Sequence, residues 1–377
     1  MRRKYHFRAL LLIALTSSLL IVASCKKDNP SSSTNSGTTT TVTNATPTTL
    51  GVYEADSSIY KLLFIAITKI GTNTGTSYGL VFDTGSGGMV IDATGLVPAS
   101  VVSKTGFTFT GDSTVVNGIT ITNQAQMVTY GNDNASITKV YGNLAYADVT
   151  IGDNNGSIVV KRLPFFLYYK GVNTDGTTAP AHEFDVFGVS PQYDLLFPNG
   201  AFITSPFSYF DPGVGLTKGF KMAALGTSHF SVRGTYQPVL TLGLTAADLS
   251  SSSGFTMTQL NFSAANGYLP FVQSSITYNG KTVTGETLLY DSGTEPYSYI
   301  QDRTATGTKL LPTGSTVSCA NTSGFNYSYT TTATENLTYV ENPTTQGGSI
   351  SIFGLEFFLT NSYLLDFTNH KLGVKNN

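Results

Sequence analysis

The sequence predicts an all-β protein built from two related halves, and three observations carry that expectation. Short hydrophobic runs, such as 61–70, 157–160, 165–169 and 238–242, alternate with Gly, Asn and Asp turns from Gly51 onward. Helical periodicity is weak throughout. The composition agrees: 23 Phe and 21 Tyr can fill a core, while charged residues make up only 12%. With abundant Gly, Ser, Thr and Asn, that mixture favours strands and turns over long helices. Finally, one acidic turn occurs twice. Asp83-Thr84-Gly85-Ser86 closes the run Tyr78-Gly79-Leu80-Val81-Phe82, and Asp291-Ser292-Gly293-Thr294 closes Thr287-Leu288-Leu289-Tyr290. At 377 residues the chain has room for about two domains, so the duplicated unit points to two lobes.

The first 25 residues have the pattern of a targeting segment. Arg2, Arg3, Lys4 and Arg8 give a basic start, and an apolar stretch runs from Ala9 to Ala23. It ends in Val22-Ala23-Ser24-Cys25, which resembles the lipobox of bacterial lipoprotein signals. That resemblance implies cleavage before Cys25, lipidation of Cys25, and a soluble body tethered at the bacterial cell envelope outside the cytoplasm. The alternative is an ordinary transmembrane anchor, for which the run is short. Residues 26–50 are rich in Ser, Thr, Asn and Pro and read as a flexible tether. The first lobe is expected over 51–220 and the second over 221–377. Gly152-Asp153-Asn154-Asn155-Gly156 and Tyr278-Asn279-Gly280 read as hairpin turns. A calcium loop at 153–155 is the less favoured reading of the first.

Two carboxylates brought together cannot both ionise easily, so they share a proton and divide acid and base roles. That pairing suits hydrolysis of a peptide bond by water. Gly85 and Gly293 let each turn close tightly and bring N–H groups to the carboxylates. Thr84 and Ser292 are suited to bonding across to the opposite lobe. Ser86 and Thr294 are suited to donating to Asp83 and Asp291.

Alone, Asp-Thr-Gly is an ordinary turn. With its repeat, and with further segments in order, the chain resembles the pepsin-like aspartic proteases from about residue 51 to the end. Met127-Val128-Thr129-Tyr130-Gly131 is similar to the family's flap strand, the bare alternative being a strand end entering a turn. Phe184-Asp185-Val186-Phe187-Gly188 and Ser351-Ile352-Phe353-Gly354 resemble the hydrophobic-Gly segments beside each catalytic loop. The tail from Phe353 through Tyr363 to Asp366, with Asn369 to Val374, is similar to the C-terminal strand pair. The resemblance implies a bilobal pepsin-like fold with two pseudo-symmetric β lobes around a central cleft. It further implies a catalytic Asp83–Asp291 pair, a flap formed by Tyr130 and Gly131, and no cofactor. Val81, Val186 and Tyr130 are the expected pocket walls for a peptide with apolar side chains. A monomer acting on peptide or protein substrates is expected.

The chain also departs from the family. There is no Trp to support the flap tyrosine, since Met89-Val90-Ile91 occupies that stretch. Glu295 adds an acid directly after the second turn; facing inward it would raise the pair's pKa, facing outward it would do nothing. Cys319 has no intrachain partner once Cys25 is lipidated, which excludes a disulfide framework and leaves a buried, unreactive thiol as the expected state. A net charge of −2 gives no argument for nucleic-acid binding. The four histidines have no metal-ligand spacing, and no phosphate loop or serine elbow stands out. A non-catalytic binding or inhibitor protein on the same fold is the alternative reading. Glycoside hydrolysis also uses two carboxylates, but nothing in that chemistry asks for two matching turns.

Overall fold

The computed structural model describes residues 45–57, 59–130, 137–346 and 348–377. Cys25, the leader and most of the tether lie outside the described residues, as does Gly131. No helix among the described residues is long and apolar enough to cross a membrane.

Strands dominate. The first four are β1 (Thr48–Ser57), β2 (Tyr60–Ile70), β3 (Asn73–Asp83) and β4 (Gly87–Asp92). Three long strands follow, β5 (Ile119–Tyr130), β6 (Thr138–Asp153) and β7 (Gly156–Val172). Next come β8 (Val186–Val189), β9 (Thr217–Met222) and β10 (Thr235–Leu244). The expected lobe boundary at 220 therefore falls inside β9. The remaining main strands are β11 (Phe271–Tyr278), β12 (Lys281–Tyr290), β13 (Tyr297–Gln301), β14 (Thr316–Asn321), β15 (Leu337–Glu341) and β16 (Ser351–Phe353). A short helix, α1 (Glu356–Thr360), leads into β17 (Asn361–Asp366) and β18 (Lys371–Asn376). The last two form the antiparallel pair expected of the tail.

One arrangement occurs twice. In the first half β8 lies between β3 and β4, parallel to β3 and antiparallel to β4, and β4 runs parallel to β7. In the second half β16 lies between β12 and β13 with the same directions, and β13 runs parallel to β15. Each acidic turn thus leaves the end of a strand that is pinned by a later segment ending in Phe-Gly. Both turns read from sequence are hairpins: Asp153 pairs with Gly156, and Tyr278 with Lys281. Asn279 and Gly280 carry positive φ (47° and 80°), which Asn tolerates and Gly adopts freely.

Packing explains why these turns are held firmly. Phe82, Phe187, Phe207 and Phe220 are buried and meet ring to ring behind the first turn. Tyr290, Phe353 and Phe357 do the same behind the second. Each such ring contributes about 1.5–3 kcal/mol through burial. Strand alternation then decides the rest. With Phe82 and Tyr290 turned inward, the next residue in each chain, Asp83 or Asp291, is left at the open end of its strand.

The candidate active site

The two acidic turns interlock through four hydrogen bonds. Thr84 N–H donates to Ser292 Oγ at 3.1 Å, and Ser292 N–H donates to Thr84 Oγ1 at 2.9 Å. In return, Thr84 Oγ1 donates to the Tyr290 carbonyl at 2.9 Å and Ser292 Oγ to the Phe82 carbonyl at 2.8 Å. Both side chains are fully buried. Each hydroxyl is thus satisfied as donor and acceptor by the opposite turn, as a buried polar group requires.

The same lock sets the carboxyl groups against one another. A Cβ on Gly85 would lie 2.5 Å from Cγ of Asp291, and one on Gly293 would lie 2.7 Å from Cγ of Asp83. Carbon atoms in contact prefer about 3.5–4.0 Å, so only glycine admits the opposite carboxyl at either place. Asp83 receives three donors: Gly85 N–H at 2.7 Å, Ser86 N–H at 3.2 Å and Ser86 Oγ at 2.5 Å. Asp291 receives two, Gly293 N–H at 2.9 Å and Thr294 Oγ1 at 2.6 Å. Burial holds the Asp291 carboxyl well above the ordinary range, helped by the charge of Asp83 and a hydrogen bond with it. Its own two donors act the other way and weigh less. The arrangement can keep one proton on a pair of acids where each alone would lose it.

Tyr130 ends β5 and stacks on Phe184, with ring centroids 6.0 Å apart and planes 8° from parallel. In a chain without Trp, this stacked ring is what Tyr130 packs against. Its own position is held: Phe184 N–H donates to Tyr168 Oη, and the neighbouring Asp185 carboxylate accepts Asp92 N–H and meets His182 Nδ1, both at 2.8 Å. Val186 packs in the same apolar cluster as Tyr130 and Phe184, and its register partner on β3 is Val81. Burial raises the Tyr130 hydroxyl well above its usual range, with Asp194, Asp83 and Asp185 adding to it.

Glu295 is half-buried, and burial pushes it up to about 8. It accepts the Lys61 backbone N–H and lines a small cavity with Ile59, Pro296 and Glu356. Cys319 is buried, bonds Asn321 at 3.3 Å, and is pushed up to about 11 by burial, as expected for an inert thiol. Gln192 and Asp194 were not legible as site residues, yet both reach the first turn. Gln192 Nε2 donates to the Gly85 carbonyl at 2.9 Å and to Asp194 Oδ1 at 2.6 Å. Burial, then the charge of Asp83, pushes Asp194 up to about 7. The only signal in sequence was a polar segment directly after the Phe187-Gly188 strand.

No protein-family profile matches the chain, and no curated protein sequence matches it. Among solved structures it is similar to the aspartic proteinase from Irpex lacteus, with a TM-score of 0.55 at 17% identity. The match covers 87% of this chain and 97% of that one. Identity at this level speaks for the fold: the chain has the bilobal, all-β architecture of pepsin-like aspartic proteases.

Proposed function

We propose that this chain is an aspartic endopeptidase that cleaves peptide bonds with a water activated by Asp83 and Asp291. One observation carries the proposal: two interlocked turns bring these carboxyl groups within hydrogen-bonding reach of each other. Hydrogen bonds to the charged form favour it, so Asp83, with three donors, is assigned the carboxylate, and Asp291 carries the shared proton. A water held between them gives a proton to Asp83 as it attacks the scissile carbonyl, while Asp291 protonates the carbonyl oxygen. Cleavage then needs Asp83 ionised and Asp291 protonated. Activity should fall on the alkaline side as Asp291 loses its proton, above the ordinary carboxylate range. An extended peptide would pair with the flap backbone, and its apolar side chains would meet Val81, Tyr130 and Val186. No cofactor enters this chemistry, and the proposed working form is a monomer.

Asp83→Asn and Asp291→Asn should each lower cleavage of denatured protein by about 1000-fold or more, with folding retained. The assay spans acidic to neutral pH, with and without pepstatin. Full activity in either variant would defeat the mechanism, and an inactive parent would favour a binding role.

The leader supports a second part of the proposal: lipidation at Cys25 and anchoring at the bacterial cell envelope. Cys25→Ser should leave the membrane fraction and lose incorporation of labelled fatty acid. Unchanged partitioning would count against the anchor.

A further inference from the structure

Gly85 and Ser86 of the first acidic turn, and Gly87 at the start of β4, are held by one segment, 190–194, which continues from β8. Gln192 Nε2 takes the Gly85 carbonyl at 2.9 Å, and Ser190 N–H takes the Ser86 carbonyl at 2.9 Å. Gly87 N–H donates to Asp194, whose Oδ1 also accepts Gln192 Nε2 at 2.6 Å. The amide of Gln192 therefore ties Asp194 to the Gly85–Ser86 peptide, whose N–H donates to Asp83. Among the described residues, only the second of these contacts, the one to the Ser86 carbonyl, has a counterpart at the second turn. There Leu355 N–H donates to the Thr294 carbonyl at 2.9 Å, and the chain then enters α1 with Phe357, Phe358 and Leu359 buried.

We propose that Asp194 is a positioning residue of the dyad, a third carboxyl that braces the Asp83 turn through Gln192 and holds the shared proton to higher pH. This rests on reading Asp83 and Asp291 as the catalytic pair. Among the described residues, the titratable groups that face Asp194 are Asp83 at the end of β3 and Tyr130 at the end of β5. Tyr130 is neutral in the working range, so the coupling runs between Asp194 and the dyad. In acid Asp194 is protonated, and an amide would replace it without electrical effect. Toward neutrality it ionises beside a pair already carrying one negative charge. A second charge there opposes loss of the last dyad proton, which extends the active form upward in pH.

The sign for stability follows from linkage. Asp194 is raised in the folded state from its ordinary 3.8 to about 7. Across that window the native chain keeps a proton that the unfolded chain has released, so stability from this group declines as pH rises. The deficit is absent below the window and complete above it.

Asp194→Asn tests the assignment in the full chain labelled with 13C at aspartate carboxyls. The Asp291 titration and the alkaline limb of kcat/KM should both move down by about 0.5 pH unit, the scale of one like charge across partly hydrated protein. The Tm of the variant should gain on the parent as pH rises through the window. Coincident Asp291 titrations in parent and variant would overturn the proposal. If the variant does not fold, the parent alone decides, because an Asp194 signal titrating at the ordinary carboxylate value would refute it. A parent that cleaves nothing, yet shows the Asp291 shift on substitution, would reject the catalytic reading while upholding the coupling.

Discussion

The two acidic turns share a mould and differ in what stands behind them. Both leave an inward aromatic, both are pinned by a Phe-Gly segment, and each gives one hydroxyl to lock the other. Behind the Asp83 turn lie a polar brace, Gln192 and Asp194, and the stacked pair Tyr130–Phe184. Aromatic rings back both turns, but behind the Asp291 turn the chain runs into an apolar helix in place of the polar brace. Asp83 collects three donors and Asp291 two. Symmetry brings the carboxyl groups together, and asymmetry gives them different surroundings. A proton shared between identical surroundings would have no preferred holder; here Asp291, the acid with fewer donors, is the one held above the ordinary carboxylate range.

The symmetric part of the comparison can be broken first. Thr84→Val leaves the Ser292 N–H without its acceptor and the Tyr290 carbonyl without its donor in a fully buried place. The expected cost is about 2–4 kcal/mol, with loss of cleavage. Ser292→Ala should cost a similar amount. Because both substitutions cut one network, the double variant should cost clearly less than their sum. Denaturant unfolding of the three proteins measures this. Strict additivity would mean that the turns do not depend on one another.

The asymmetric part has a smaller reach. Phe184→Ala removes the ring beneath Tyr130 without touching either turn. An aromatic pair is worth about 0.5–1.5 kcal/mol beyond burial, so kcat/KM should drop by roughly 3–10-fold. The pH limits should stay unchanged, in contrast to Asp194→Asn. A pH profile that moved instead would place Phe184 among the groups tuning the dyad, and unchanged kcat/KM would remove it from the flap's support.

Much of the architecture was legible because its causes are local. Period-2 alternation and Asn-Gly or Asp-Asn turns announce hairpins whatever the rest of the chain does, and both hairpins read that way are present. The paired turns were legible through repetition, and the segments around Phe187-Gly188 and Phe353-Gly354 through resemblance. The support for Tyr130 was not legible. It depends on stacking between the end of β5 and a residue on the approach to β8, and neither residue carries a local sign of the other. Glu295 illustrates the same limit. Sequence offered a choice between facing the dyad and facing solvent, whereas the fold half-buries it beside the β2 backbone.

From its amino acids alone, this chain's strand-rich character, its duplicated acidic turns and the residue types able to share a proton were determined, since each is written within a few neighbouring positions. The tertiary structure alone decided which acid is better supplied with donors, which ring stacks on Tyr130, and that Gln192 and Asp194 reach the first turn. Those outcomes depend on registers between strands distant in sequence, and a half-turn's difference in any of them would send the same side chains elsewhere.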